Sequence, residues 1–477
     1  MKRWAIILLT AFALTSCVHY QPRPLDAQGK AEIFEARRLD DAGLSAFIAT
    51  NLVREHPRSS IYWPRKTWDL ETLTLAAYYF QPSLDVARAQ WSVAKAAAIS
   101  AGARPNPTVS FSPGFTANPA GATPWFMAGG FDWPVETAGK RGLRVIQAQH
   151  LVRVAHLNLH TTAWQVRAKV RDNFASLSSA VLQAHILDEK VSLQQELVAK
   201  LEERLKAGVL SLPEVLPARV ALSRMEAELL IVHENEADAT GRLAAVIGIP
   251  FSVLRDAPKF LAHQSAHISD EEFAKAKQRA LLNRSDLLAA LADYDASETA
   301  LRLEIAKQYP DLHFNPNYEY DQGANKWRLG VSLDLPMLNR NQGTIAEARA
   351  KRDESAARFT ALQAEVIGEI DAAMDNHRRA VEQIQSIGAA QDVDEQRAEA
   401  LATQIQAGAA DPLDLTILKL EQVTRLVLED EAASRAEQAL GRLEAALQQV
   451  LGTYTWLVAP APPEHLERNP REEKTKE

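Results

Sequence analysis

Two long stretches of the chain repeat their apolar residues in steps of three and four. The first runs through Val170, Phe174, Leu177, Val181 and Ala184. The second runs through Ile367, Ile370, Met374, His377, Val381 and Ile384. Alternating steps of three and four form the seam of a coiled coil. We therefore expect each stretch to pack against other long helices, with its charged positions on solvated faces.

The spacing of prolines sets the length that these helices can reach. No proline occurs between Pro134 and Pro213, or between Pro336 and Pro412. Because proline interrupts a helix interior, each interval allows about 65–70 continuous helical residues, a rod of roughly 100 Å. Helices of globular domains are far shorter. The pattern therefore predicts an elongated, mainly α protein.

Before each predicted long helix the pattern changes to strict alternation. The apolar face runs through Trp125, Met127, Gly129, Phe131 and Trp133 in the first hairpin, and through Leu312, Phe314, Tyr318, Tyr320, Trp327, Leu329, Val331, Leu333 and Leu335 in the second. The intervening positions are mostly small or charged. Strands of this kind are typical of a membrane β-barrel, with the apolar face toward lipid and the polar face toward a wet lumen. The alternative is a half-buried sheet of a soluble protein, which needs a second layer that no other strand-rich region supplies.

Four such strands are predicted, within residues 108–134 and 310–336. A closed membrane barrel takes about eight strands or more. An open sheet edge in lipid would leave backbone groups without hydrogen bonds. Several chains must therefore share one barrel, although the count does not fix how many.

The hairpins and helices belong to an internal repeat of about 200 residues, with copies at 72–250 and 270–453 and a linker at 251–269. Its landmarks are Asp132-Trp133-Pro134 with Asp334-Leu335-Pro336, Ala207-Gly208 with Ala407-Gly408, and Gly241-Arg242-Leu243 with Gly441-Arg442-Leu443. Each copy has the order helix, hairpin, long helix, tip and returning helix. Residues 17–71 have no repeat partner and are interpreted as a tether and collar. Residues 454–477 are rich in proline and charge, which predicts a flexible tail.

The first residues have the pattern of a bacterial lipoprotein signal. Basic residues precede a short apolar run that ends at Leu14, too short to span a bilayer. Residues 1–16 would then be removed, and Cys17, the one cysteine of the chain, would become the acylated first residue. The alternative is an ordinary signal peptide with an incidental cysteine. In this lipoprotein class an aspartate after the cysteine favours the inner membrane, so Val18 indicates the outer membrane.

Composition excludes several classes of function. A net charge of -8 and a pI of about 5.9 disfavour a nucleic-acid binder. No phosphate-binding glycine loop or nucleophile motif is found, so the sequence predicts neither an enzyme nor a cofactor. His156 with His160, and His263 with His267, have the i, i+4 spacing that can hold zinc. Neither pair has a clearly placed third ligand, and we favour polar surface histidines over a metal site.

The two tips of the long helices share a series of residue types. Each has a glycine, a proline and an acid: Gly208, Pro213 and Glu214 in the first tip, and Gly408, Pro412 and Asp414 in the second. Glycine can supply a left-handed turn, and proline suits a helix start. An acid near a helix N-terminus is favoured by the helix dipole. Capping is therefore one role for these acids.

The duplicated order of elements over residues 72–453 resembles the TolC-type outer-membrane efflux protein family. The resemblance implies a homotrimer whose strands, four from each chain, form one barrel in the outer membrane, with a helical tunnel across the periplasm. It implies a passive exit duct of a tripartite efflux system, supplied by an inner-membrane RND-type pump through a periplasmic adaptor. Residues 104–107 and 134–142 are similar to segments of the heavy-metal efflux branch, although Ala138 stands where that branch tends to have glycine.

The resemblance also gives roles to the tips. Both tips meet the adaptor in the family, which implies adaptor contacts at Gly208, Pro213, Glu214, Arg219, Gly408, Pro412 and Leu415. In the family, acids of the second tip also constrict the closed periplasmic end of the pore. Asp414 matches one gate acid, the second acid position falls on Ile417, and Asp411 is the candidate to replace it. A ring of carboxylates would select against anions.

Two other functions stay open. One is a periplasmic lipoprotein scaffold of coiled coils without a pore. Such a scaffold has no need of strands with one aromatic and one polar face. The other is a type I secretion duct for polypeptides, which shares the architecture of the efflux duct. The sequence does not identify the cargo.

Overall fold

The structure is a computed structural model that describes residues 20–55, 67–117, 119, 121, 123–257, 268–388 and 391–451. The predicted signal peptide, Cys17, the pair His263 and His267, and the tail at 454–477 lie outside the described residues.

The elements follow one order twice. The first half contains α1 (Ala27–Glu35), α2 (Ala42–Glu55), α3 (Leu70–Phe80), α4 (Pro82–Ala101), β1 (Thr108–Phe115), β2 (Trp125–Val135), α5 (Lys140–Lys206), α6 (Leu212–Ile247) and α7 (Phe251–Arg255). The second contains α8 (Asp270–Asn283), α9 (Ser285–Ala306), β3 (Leu312–Asp321), β4 (Ala324–Leu333), α10 (Gln342–Gly388), α11 (Gln391–Gln406) and α12 (Pro412–Leu447). Two helices, a hairpin, a long helical segment and a returning helix therefore occur in each half.

The long helices agree with the proline spacing in the first copy. Helix α5 has 67 residues, within the predicted length. The second interval holds α10 with 47 residues and α11 with 16, on either side of residues 389–390, which are not described. Most positions of the predicted seams are buried, with Val170, Leu177 and Ile370 at 0% exposure, whereas Val181, Ile367, Val381 and Ile384 are half-buried.

Helices α5 and α12 run antiparallel and are joined by polar contacts along their length. Arg167 and Arg171 bind Glu444, Ser179 binds Asp430, Lys200 binds Thr416, and Arg204 binds Asp411. The first three side chains, Arg167, Arg171 and Glu444, are buried. At these positions the expectation that charged residues of the long helices are solvated is wrong, because both guanidinium groups bind the Glu444 carboxylate inside the helix packing, and the buried Glu437 carboxylate also acts on Arg171.

The largest core lies where α3 packs against α5 and α6. Leu73, Leu75 and Tyr78 fill it from α3, and Leu44 and Ile48 enter from α2. The N-terminal segment is also tied by polar contacts. The Arg37 Nη1 donates to the carbonyl oxygens of Phe80, at 3.0 Å, and Gly248, at 2.6 Å. Residues 37–48 thus pack around the middle of the helical body.

The strands form one antiparallel sheet in the order β1-β2-β3-β4. Thr108 lies opposite Asp132 in the first pair, and Leu312 lies opposite Leu333 in the last. Strands β2 and β3 join the two halves of the chain, since Met127 lies opposite Tyr320. The sheet is therefore built equally from both copies of the repeat, with β1 and β4 at its edges.

Candidate pore-forming sheet and helix tips

One face of the sheet is apolar and exposed. The register brings Val109 opposite Phe131, and Tyr318 opposite Trp327. The most exposed side chains of this face are Trp327 at 79%, Leu329 at 77%, Val109 at 77% and Phe111 at 68%. A contiguous apolar surface of this kind marks an interaction with lipid or protein. The alternation predicted from the sequence is confirmed.

The opposite face carries paired polar groups. His313 Nδ1 lies 3.1 Å from Asp132 Oδ1, Lys326 Nζ lies 2.7 Å from Asp321 Oδ2, Asn315 Nδ2 donates to Ser332 Oγ at 2.8 Å, and Arg328 forms an ion pair with Glu319. Such half-exposed ion pairs need water on at least one side. This face therefore suits an aqueous environment, whereas the other face suits an apolar one.

The two edges of the sheet are open within the described part of the chain. Strand β1 pairs only with β2, and β4 pairs only with β3. Unpaired edges present rows of N–H and C=O groups to any strand that can reach them. The sheet is therefore a section that a further strand can extend at each side.

The second tip is held by a contact between α5 and α12. Asp411 is the N-cap of α12, and its Oδ1 accepts from the backbone N–H of Leu413 at 2.9 Å. The same oxygen accepts from Arg204 Nη2 at 2.6 Å. These two hydrogen bonds, the Arg204 bond first, lower the pKa of Asp411 to about 2. Asp411 thus holds two helices of one chain together, and Arg204 is a tip residue that the sequence reasoning missed.

Asp414 and Ile417 form the exposed side of the second tip. Asp414 is exposed one turn into α12, and Ile417, one turn further, is 41% exposed. The intervening Thr416 is 3% exposed and accepts from Lys200 at 3.0 Å. Asp414 is therefore the acid of this tip that is presented outward, beside an apolar residue.

The first tip begins α6 with a capping box. Glu214 Oε2 accepts from the backbone N–H of Ser211 at 2.7 Å and from its hydroxyl at 2.6 Å. The Ser211 hydroxyl first, and then its N–H, lower the pKa of Glu214. Arg219 pairs with Glu202 of α5 at 2.7 Å. The capping role considered for Glu214 therefore has direct geometric support.

The remaining tip residues are accessible. Gly208 at φ +75° and Gly408 at φ +72° adopt the left-handed turn that the sequence suggests. Gly208, Pro213, Glu214, Arg219, Gly408 and Pro412 are exposed, and Leu415 is half-buried. Apolar side chains accompany the first tip, with Val209 at 71% exposure and Leu212 at 49%. The first tip is therefore the more apolar of the two.

His156 and His160 lie on α5 with their ring centroids 4.7 Å apart. Burial first, and then His156, lower the pKa of His160. In the described ranges, no group of three or more histidine, cysteine or acidic residues is placed to hold a metal ion. Within those same ranges, none of the helices combines the length and the apolar character that a bilayer crossing requires.

Comparison with known proteins gives a family match for the first copy of the repeat. Residues 80–249 match the model of the outer membrane efflux protein family. The cobalt-zinc-cadmium resistance protein CzcC of Cupriavidus metallidurans is 25% identical over 232 residues, which cover 48% of this chain and 54% of CzcC. The chain therefore spans about half the length of this curated relative.

Solved outer-membrane channels share the fold over most of the chain. The OprN channel gives a TM-score of 0.65 at 19% identity, covering 81% of this chain and 90% of OprN. VceC from Vibrio cholerae gives 0.64 at 20% identity, covering 79% and 95%. CusC gives 0.63 at 15% identity, covering 90% and 99%. The expected fold class, a mainly helical chain with paired β-hairpins, is confirmed.

Proposed function

We propose that the chain is a member of the outer membrane efflux protein family, whose model matches residues 80–249, and that it is the exit duct of a tripartite efflux system. One observation carries this proposal: a sheet with a bare apolar face, a polar face of paired charges and two open edges. In a bilayer the apolar face meets lipid and the polar face lines a wet lumen. The open edges then need strands from further copies, since lipid offers no hydrogen bonds.

Three copies would close one barrel. Four strands fall short of the roughly eight that a closed membrane barrel needs, and three copies would supply twelve. In this homotrimer, β4 of one chain pairs with β1 of the next. The helices α5, α6, α10, α11 and α12 extend from the barrel as a tunnel through the periplasm.

The tips would form the periplasmic end of the tunnel. Asp414, the outward acid of the second tip, is the proposed gate residue, and its three copies would make a ring that attracts cations. Asp411, the second gate candidate, acts through its bond to Arg204, which holds the tip in place. The exposed residues of both tips are the proposed contact surface for a periplasmic adaptor, and an RND-type pump in the inner membrane would supply the energy.

The relative's name suggests the cargo. CzcC is named for resistance to cobalt, zinc and cadmium. Exported divalent cations are consistent with an acidic ring at the entrance, because like charges would be repelled and opposite charges concentrated. We propose heavy-metal cations as the transported class, moved passively and without chemistry on the protein.

Cys17 is the proposed lipid anchor at the outer membrane. Acyl chains on this residue would hold the N-terminus at the inner leaflet, beside the barrel. Metabolic labelling with a fatty acid would detect the anchor. Loss of the label in Cys17→Ser, with the barrel still assembled, would separate anchoring from folding.

Of the alternative functions, a scaffold without a pore does not account for the exposed apolar face of the sheet. No contact in the described residues favours a polypeptide cargo over small solutes, so the secretion duct rests on architecture alone.

Conductance of the purified full chain in planar bilayers tests the proposal. We expect discrete cation-preferring pores, with less cation preference in Asp414→Ala. The control Glu228→Ala removes an exposed acid of α6 away from the tip and should leave the preference unchanged. If the cation preference is the same in wild type and in both variants, Asp414 is not the gate residue. A folded oligomer that never conducts would overturn the duct and favour the scaffold.

A further inference from the structure

Two repeat-related junctions connect the sheet to the long helices. The first junction is residues 134–140 and the second is residues 336–342. Each begins with a proline and ends where a helix starts, and the residue before the helix is left-handed in both, with φ +70° at Gly139 and +61° at Asn341. The two junctions therefore share the left-handed residue before the helix but differ elsewhere, since Ala138 is also left-handed, at φ +53°, in the first junction alone.

The first junction packs on the segment that leads into β3. The Thr137 N–H donates to Asp311 Oδ1 at 2.8 Å, and its hydroxyl donates to the Pro310 carbonyl at 2.6 Å. Lys140 Nζ donates to the same Asp311 oxygen at 2.8 Å and to the Tyr309 carbonyl at 2.6 Å. Lys140 is only 7% exposed. A lead-in segment of the second copy thus covers the junction of the first copy.

The second junction has no such cover. Met337 is 76% exposed and Leu338 is 101% exposed. Gln342, which occupies the helix-start position of Lys140, is exposed as well. Strand β4 is an edge strand, so no lead-in segment in the described part of the chain lies beside its junction. Two consecutive, highly exposed apolar residues are consistent with a surface that another protein covers.

Within the described ranges, one other segment leads into the sheet in this way, residues 104–107 before β1. Pro105 lies four positions after the end of α4, as Pro310 lies four positions after the end of α9. Asn106 therefore corresponds to Asp311. Residues 104–107 are exposed, and they precede the opposite edge of the sheet from β4. Three strand spacings of about 4.8 Å separate the two edges, so the second junction meets residues 104–107 only in another copy of the chain.

We propose that the second junction docks on the Pro105-Asn106 segment of a neighbouring copy. In this contact the Asn106 side-chain oxygen accepts from the backbone N–H of Asn339, as Asp311 accepts from Thr137. The Gln342 amide takes the position of the Lys140 ammonium and donates to the neighbour's lead-in segment. Met337 and Leu338 are then covered. This contact rests on the shared barrel proposed above and specifies where its helical parts join.

The contact within a chain has charged partners, whereas the proposed contact between copies has neutral ones. This difference makes each junction selective for its own lead-in segment. Within the chain, the Lys140 ammonium meets the Asp311 carboxylate. Between copies, the Gln342 amide meets the Asn106 amide. If Lys140 met Asn106, or Gln342 met Asp311, a charged group would face a neutral amide. Such a pairing is unfavourable because the charged group loses its counterion. The two kinds of junction therefore distinguish the contact inside a chain from the contact between chains.

Disulfide formation tests the contact in the full-length protein in outer membranes. Asn106→Cys combined with Gln342→Cys should give a ladder of cross-linked oligomers on a non-reducing gel after mild oxidation. Each single variant, which retains Cys17, is the matched control and should give no ladder. Cross-links confined to single chains would overturn the proposal. The size of the uncross-linked complex in detergent separates the outcomes: an oligomer without a ladder refutes only the junction, and a monomer refutes the shared barrel as well.

Charge exchange gives a second test that does not depend on cysteine geometry. Asn106→Asp and Gln342→Lys together should rebuild between copies the pair that Lys140 and Asp311 make within a chain. We expect each single change to lower the temperature at which the oligomer dissociates, and the double change to restore it. Losses that simply add would show that the two residues do not meet. Comparable far-ultraviolet circular dichroism of the variants would confirm that each chain still folds.

Discussion

Arg204, in the last turn of α5, donates a 2.6 Å hydrogen bond to Asp411, the residue that caps α12. The contact joins the end of the outgoing helix of the first copy to the start of the returning helix of the second. It therefore links the start of the second tip's returning helix to the first tip.

Removal of this contact should loosen the second tip. In Arg204→Gln, Asp411 keeps the N–H of Leu413 but loses its cation, so we expect a larger open probability in single-channel recordings. Arg242→Gln, which breaks an exposed pair with Asp238 on α6, is the matched control and should behave as wild type. Equal open probabilities in all three proteins would contradict a latch at this position.

The same contact should give a defined pH dependence. The pKa of Asp411 is lowered from 3.8 to about 2 in the folded protein. A depressed carboxyl pKa stabilises the folded state above the ordinary pKa, and this stabilisation is lost as the pH falls through the folded value. The stability difference between wild type and Asp411→Asn should therefore be constant above about pH 5 and shrink toward pH 2. Thermal unfolding at a series of pH values would measure it, and a difference that grows on acidification would refute the assignment.

Loss of the buried carboxylate on α12 should be severe. Glu444 Oε2 accepts from Arg167 at 2.8 Å and from Arg171 at 2.7 Å. Glu444→Gln would remove the carboxylate charge that both buried guanidinium groups bind, at a cost of about 3–5 kcal/mol. Glu431→Gln, at an exposed pair on the same helix, should cost less than about 1 kcal/mol. Denaturant unfolding of both variants checks the contrast, and similar losses would argue against the buried pairing.

Two glycines with left-handed backbones should respond differently to alanine. At Gly408, φ is +72° and no atom lies within 4 Å of an added Cβ, so we expect only conformational strain of about 1 kcal/mol. At Gly248, φ is +88° and an added Cβ would lie 2.9 Å from the Phe80 carbonyl oxygen. Gly248→Ala should therefore lower the melting temperature more than Gly408→Ala. The reverse order would contradict the close approach of α3.

The two faces of the sheet should differ in their tolerance of charge. Leu329→Arg places a cation on the face proposed to meet lipid, which costs about 2–4 kcal/mol near the bilayer centre. Ser332→Arg, on the same strand but the opposite face, should be tolerated in the wet lumen. The yield of assembled oligomer in outer membranes would report both. Equal yields would mean that the apolar face does not contact lipid.

The sequence predicts those features that repeat along the chain. Alternation predicts the faces of β3 and β4, and the step pattern through Val170 and Leu177 predicts a buried helix seam. It does not predict that Arg167 and Arg171 are buried, because a charged position on a long helix has the same local pattern whether it is solvated or paired. Their anion, Glu444, lies on a helix of the other copy, and only the packing of α5 on α12 brings it near.

The second tip also has a contact that the sequence alone does not predict. The sequence places Asp411 and Asp414 at a helix start, and residue type alone suggests that either can face a pore. The two acids differ because Arg204, more than 200 positions earlier, binds Asp411 and leaves Asp414 exposed. A basic residue in the last turn of α5 is the one local signal, and it is equally explained by the helix dipole.

Helices α5 and α12 are held together at one end by the buried cluster at Glu444 and at the other end by the half-exposed contact at Asp411. Because burial decreases toward the tip, the helix pair resembles a lever that is fixed at the Glu444 end. Between Arg171 and Arg204 the lever arm is about 50 Å at 1.5 Å per residue, so a tilt of about 5° displaces the tip by about 4 Å. A force applied near the free end therefore moves the tip by several ångströms, while the fixed end hardly moves.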